Sequence, residues 1–168
     1  ERTLILGWNR RGTSVLVELD NYVAPGSETT VVADTPAAAA EIVKVKAGLR
    51  RQNLSFREAD TTDRGDLDSL AVPSYHHVIV LNYSDRLDPQ AADARTLITL
   101  LHLRDICARV PTGFSIVSEM LDLRNRELAD VTRSDDFIVS DQLISFLFAQ
   151  ISENRHLGAV FAELLDPE

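Results

Sequence analysis

The six residues Gly7-Trp8-Asn9-Arg10-Arg11-Gly12 put glycines at the first and third positions of a dinucleotide-binding fingerprint and Asn9 at the second. In such a turn the first glycine allows the bend, the second lets a pyrophosphate approach the backbone, and the third lets the helix pack closely. Asn9 therefore either crowds a phosphate or offers it a side-chain hydrogen bond. Arg10 and Arg11 add positive charge where the following helix already turns N–H groups toward an anion. The turn, Trp8 included, is a candidate seat for a phosphorylated ligand; equally, Gly7 and Gly12 can serve only the bend and the packing. Asp34 follows about 20 residues on, where an acid accepts hydrogen bonds from ribose hydroxyls, and its competing role is to cap a helix. Asp60 and Thr61, at the end of a third apolar run where an adenine is often met, and Asn82, at the end of a fourth, complete the candidate set.

Other chemistry is thinner. Asp60, Asp63, Asp66 and Asp68, with Asp85, Asp88 and Asp93, are hard oxygen donors of the kind calcium takes, in a spacing that matches no EF-hand loop. A run of this sort is ordinarily a solvated surface. A short-chain oxidoreductase needs a lysine four residues after its tyrosine, yet Tyr22, Tyr75 and Tyr83 are followed there by Gly26, Ile79 and Leu87. His76, His77, His102 and His156 have no nucleophile or metal-ligand spacing around them. Neither a Gly-x-Ser-x-Gly elbow nor a phosphate loop with its lysine is present.

The elements that must position these residues follow from periodicity. Strands are predicted at 3–7, 29–33, 53–58, 77–81, 114–117 and 137–139, with helices at 14–22, after Asp34 through Lys46, up to Leu70, from Asp88 to about Arg109, at 125–131, from Ser140 through Ser152, and from about Leu157. Asp88-Pro89 is a cap residue followed by a proline that needs no donor at the first helical position. Val- and Ile-rich strands alternating with helices imply a parallel sheet covered on both faces. The expected fold is α/β, a doubly wound Rossmann sheet of six strands in the order 3-2-1-4-5-6, over residues 1–154. Residues 155–168 are expected to begin a crossover or linker helix.

The chain has 168 residues, 45% apolar and 26% charged, which suits one globular domain. No apolar run is long enough for a bilayer. A formal net charge of -9 repels phosphate backbones, so nucleic acid is not expected as a partner. Cys107 is the sole cysteine, which excludes an internal disulfide. The chain starts without methionine close to an apolar run and ends directly on a helical pattern, so further polypeptide is expected on both sides.

Several stretches resemble one family. Ile5-Leu6-Gly7-Trp8-Asn9-Arg10-Arg11, Val23-Ala24-Pro25-Gly26-Ser27-Glu28, Ala94-Arg95-Thr96-Leu97, Leu103-Arg104-Asp105-Ile106, Val117-Ser118-Glu119-Met120-Leu121-Asp122 and Asp136-Phe137-Ile138-Val139-Ser140-Asp141-Gln142-Leu143 are similar to the cytosolic region of Castor/Pollux-type ion channels. The resemblance implies an RCK-type (TrkA-N-like) lobe of a gating ring serving potassium or other cation transport. It also implies a soluble domain at the cytoplasmic face of a membrane. Its partners would be a second copy of the chain, paired as a dimer within the ring, and a membrane pore domain in the same or a partner chain. Pairing in such rings uses helices after the sixth strand, where Leu143, Ile144, Phe146, Leu147, Phe148 and Ile151 offer an apolar surface or a piece of core. By the same resemblance the fingerprint falls on Gly7, Asn9 and Gly12 and the ribose-binding acid on Asp34. The expected ligand is NAD(H) or another adenine nucleotide, or else Ca²⁺, and the chain is not expected to be an enzyme. A NAD(P)-dependent oxidoreductase fragment and a ligand-free oligomerisation module are the competing readings.

Overall fold

The computed structural model describes residues 1–110, 113–125, 136–154, 156–164 and 166. Strands β1 (Arg2–Leu6), β2 (Ser27–Ala33), β3 (Gln52–Glu58), β4 (His77–Val80) and β5 (Ser115–Met120) alternate with helices α1 (Gly12–Tyr22), α2 (Pro36–Lys46), α3 (Arg64–Ser69) and α4 (Pro89–Cys107). These five strands form a parallel sheet in the order β3-β2-β1-β4-β5, as the alternation of strands and helices predicts. A further strand, β6 (Asp136–Val139), pairs in parallel with the outer edge of β5 and leads into α5 (Ser140–Glu153) and α6 (Leu157–Leu164). The helix expected at 125–131 lies outside the described residues beyond its first position. None of the described helices is long and apolar enough to cross a membrane.

Each face of the sheet has its own core, because successive side chains of a strand point to opposite sides. Leu4 and Leu6 of β1 join Val78, Val80, Leu67, Leu100 and Leu103 under α3 and α4. Ile5 joins Trp8, Leu16, Val31, Ala38 and Ile42 under α1 and α2. Fully burying one such aliphatic side chain stabilises the fold by about 1.5–3 kcal/mol.

Caps set the helix starts. Asp88 accepts from the N–H groups of Gln90 and Ala91 at the head of α4, and Asp63 accepts from Asp66 at the head of α3. Helix α2, by contrast, is preceded by Thr35, and Asp34 does not cap it. β5 runs three residues beyond its predicted end. Ser118 and Glu119 interrupt the apolar run there, yet both are buried.

Candidate ligand crevice at the carboxyl ends of the strands

The turn after β1 is shaped by packing before any ligand is considered. Gly7 has φ +88°, and a Cβ there would stand 2.1 Å from the Leu81 carbonyl oxygen. A Cβ on Gly12 would come within 2.6 Å of the Trp8 ring. Trp8 lies in the core beneath α1 and α2 and donates its indole N–H to Glu41 at 2.8 Å. The ring of Trp8, expected in the ligand seat, is packed in this core, and it is what the closing glycine of the turn makes room for.

Asn9, in the place of the middle glycine, is buried and belongs to a polar network. Its amide NH₂ donates to the Asn82 carbonyl oxygen and to Glu119 Oε2, both at 2.7 Å. Its own Oδ1 accepts the Arg11 N–H at 2.9 Å. Arg11 turns its guanidinium onto Glu119 Oε1 at 2.7 Å, so Glu119, on β5, is held by two residues of the turn, Asn9 and Arg11. The Arg10 N–H donates to Asp85 Oδ2 at 2.5 Å.

Asn82 continues the network. Its amide donates to Asp93 Oδ1 at 2.8 Å and its N–H to Glu119 Oε2 at 3.2 Å. Asp93, buried in the first turns of α4, also accepts from the N–H groups of Leu121 and Asp122 and from the Asn125 amide, each within 2.9 Å. Four donors on one carboxylate satisfy a buried charge that would otherwise be costly.

On the other side of the turn Asp34 and Asp60 share one guanidinium nitrogen: Arg95 Nη2 lies 2.6 Å from Asp34 Oδ2 and 2.8 Å from Asp60 Oδ1. The same guanidinium sits 4.4 Å from the centre of the Tyr83 ring, within cation–π range. The Tyr83 hydroxyl is 3.5 Å from the Thr61 hydroxyl. Arg86 donates to the Thr35 hydroxyl and to the Asp34 carbonyl oxygen. Burial pushes the Tyr83 phenol above its ordinary value. For Asp60 burial opposes ionisation, but the Thr62 N–H and hydroxyl and the Arg95 charge outweigh it and hold the carboxyl below its ordinary value. At Arg95 desolvation is likewise outweighed, by Tyr83 and the two carboxylates, and the guanidinium is raised.

Gly7, Asn9, Arg10, Arg11, Gly12, Asp34, Asp60, Thr61 and Asn82 thus converge at the carboxyl ends of β1 to β4, where doubly wound sheets bind ligands. By sequence, Asp85 and Asp93 are marked only as calcium donors, and Arg95 and Glu119 only as residues of the matching stretches. Tyr83 is marked by sequence only as a tyrosine without a lysine four residues on, and Arg86 carries no signal at all, since an isolated arginine marks no site.

The structure lends the calcium reading no support. Asp63 and Asp88 cap helices, Asp66 accepts the Asp60 N–H, Asp68 pairs with Arg64, Asp85 with the turn, and Asp93 is enclosed by donors. Among the described residues no three His, Cys, Asp or Glu side chains gather to hold a metal ion. A hydroxyl–imidazole contact, His77 Nδ1 to Ser115 Oγ at 2.7 Å, lies at the amino ends of β4 and β5, the edge remote from the crevice.

No protein-family model matches the chain. Over its full length it is 30% identical to the ion channel DMI1 of Medicago truncatula and 31% identical to the ion channel CASTOR of Lotus japonicus. It spans 23% and 24% of those two proteins. Among solved structures, the human SLO3 gating ring superposes with a TM-score of 0.59 at 18% identity, over 82% of this chain and 24% of that one. The NAD(P)-binding domain of an exopolyphosphatase-related protein from Archaeoglobus fulgidus gives 0.64 at 14% identity, over 90% and 96%. The GsuK channel bound to NAD gives 0.55 at 17% identity, over 82% and 21%. These superpositions bear on the fold.

Proposed function

Because the chain is a homologue, along its whole length, of one region of Castor/Pollux-type ion channels, we propose that it is a regulatory lobe of a cation channel. In this reading it is a gating-ring domain at the cytoplasmic face of a membrane, and its crevice binds NAD(H) or another adenine nucleotide. The observation that carries the ligand part is the meeting of Asp34, Asp60, Thr61 and Asn82 with the fingerprint turn at one crevice. Asp34 would take the ribose hydroxyls, Asp60 and Thr61 would border the base, and Arg10 and Arg11 would face the phosphates. The GsuK channel, bound to NAD, supplies a precedent of like fold.

Coupling would run through the far edge of the sheet. Residues 1–154 form the lobe, with β6 as its sixth strand, and 155–168 begin a crossover helix. The exposed apolar side chains of α5, Leu143, Ile144, Phe146, Phe148 and Ile151, with Val160 and Leu164 of α6, would pair with a second copy. A pore domain in the same or a partner chain would receive the movement. A ligand shifts such an equilibrium only by binding one ring conformation better than the other.

Calorimetric titration with NAD⁺, NADH, ATP and ADP tests the reading, with Ca²⁺ as a separate arm. Saturable heat from at least one nucleotide is the expected result. Heat from none of the four sinks the nucleotide sensor and favours a ligand-free assembly module, the alternative to which the exposed face of α5 already lends support.

A further inference from the structure

The first N–H groups of a helix and a flanking arginine make an anion seat, and in this chain the seat is supplied with anions of its own. Helix α1 has no acidic residue in its first turn, and its leading residue, Arg11, makes no capping bond through its side chain. The compensation comes from elsewhere in the chain. Asp85, in the loop after β4, takes the Arg10 N–H at 2.5 Å, with Arg10 Nε 3.9 Å from its other oxygen. Glu119 of β5 takes the Arg11 guanidinium and the Asn9 amide, and Asn9 Oδ1 takes the Arg11 N–H. Next to Asp85 in the same loop, Arg86 is tied to the other side of the crevice through the Thr35 hydroxyl and the Asp34 backbone. Adjacent residues of one exposed loop thus fasten it to the heads of α1 and α2 at once.

We infer that residues 84–87 form a strap across the crevice, with Asp85 and Glu119 seated where the turn would hold a phosphate, so that a phosphorylated ligand binds only by displacing Asp85. The inference rests on the nucleotide reading of this crevice and deepens it: affinity for phosphate is set against an internal carboxylate. Two phosphates cannot share the seat with two carboxylates, because like charges at such range repel and the same N–H donors cannot serve both. Release of Asp85 would also free the segment that runs directly into α4, whose Arg95 bridges Asp34 and Asp60. Ligand entry and movement of α4 are then one event.

The test compares the wild-type chain with Asp85→Asn and Glu119→Gln by calorimetry, using inorganic pyrophosphate, NAD⁺ and adenosine as probes. Asp85 is 39% exposed, so its amide variant keeps the core intact, and a melting curve close to wild type checks this. Asp85→Asn should bind pyrophosphate and NAD⁺ about tenfold tighter or more, the worth of a hydrogen bond to a charged group. Adenosine, which has no phosphate, should be unchanged. Equal pyrophosphate affinity in wild type and Asp85→Asn overturns the strap whatever Glu119→Gln does, as does an equal gain for adenosine. Pyrophosphate gained without NAD⁺ binding to any of the three proteins upholds the strap and removes the nucleotide reading. Wild-type NAD⁺ binding as tight as that of Asp85→Asn does the reverse.

Discussion

Asn9 shows how one side chain changes what a fingerprint turn is for. A glycine there leaves the backbone open to a ligand; Asn9 fills the space and exchanges hydrogen bonds with Glu119, the Asn82 backbone and the Arg11 N–H. Gly7 is required for a different reason, since its positive φ and the Leu81 carbonyl both exclude a Cβ. Gly7→Ala should lower stability by about 3 kcal/mol or more, the cost of a left-handed residue combined with a backbone clash. Urea unfolding would check it, and a loss under 1 kcal/mol, on the order of an ordinary surface change, would show that β1 and β4 are free to separate. Asp93→Ala leaves four donors facing a void, those of Asn82, Leu121, Asp122 and Asn125. It should cost about 3 kcal/mol, read from the same unfolding curves, and should loosen the end of β5 as seen by amide exchange at Leu121 and Asp122.

At the scale of elements, the structure is stapled by carboxylates that take backbone N–H groups from other segments. Asp20, near the end of α1, accepts from the N–H groups of Arg50, Arg51 and Gln52 and so anchors the entry to β3. Burial opposes its ionisation, but those three donors and the Gln52 side chain outweigh it, and its pKa lies below the ordinary 3.8. A depressed folded-state pKa means that the stabilisation is fully present above the unfolded value and is lost as pH falls through the folded one. The stability difference between wild type and Asp20→Asn should therefore be constant near neutrality and shrink as pH falls toward and through 3.8. Unfolding curves across that range decide it, and a difference that vanishes between neutrality and mildly acid pH would place the staple elsewhere. The extension of β5 belongs to the same scale. Ser118 and Glu119 are poor strand formers by pattern, and the strand continues because Asn9, Arg11 and Asn82 satisfy Glu119 from neighbouring elements.

For the whole molecule, β1 to β5 carry a buried core on each face while the helices after β6 keep large apolar side chains in the open. Phe146 and Phe148 are 55% and 73% exposed, a patch of the kind that marks an interaction surface. If a second copy covers it, Phe148→Asp should shift the chain toward monomer in sedimentation velocity while leaving the melting temperature of the dilute protein near wild type. Association undiminished by the substitution would move the interface off this face.

Strand and helix alternation, the glycine-bounded turn and the Asp88-Pro89 cap were legible in the sequence because each is a local property, carried by periodicity or by one residue's backbone preference. The position of the crevice followed from them, since parallel strands bring their carboxyl ends together whatever the side chains are. Its contents did not follow. Which partner Asp34, Asp60 and Glu119 find depends on residues tens of positions away, and Arg95 and Arg11 reach them only once α4 and α1 are packed on opposite faces of the sheet. The same distance in sequence hid Trp8, which the turn seemed to offer to a ligand and the core took. Local chemistry determined where the carboxyl ends of the strands meet; long-range packing decided that Asp85 and Glu119, from other elements, take the donors of the turn there.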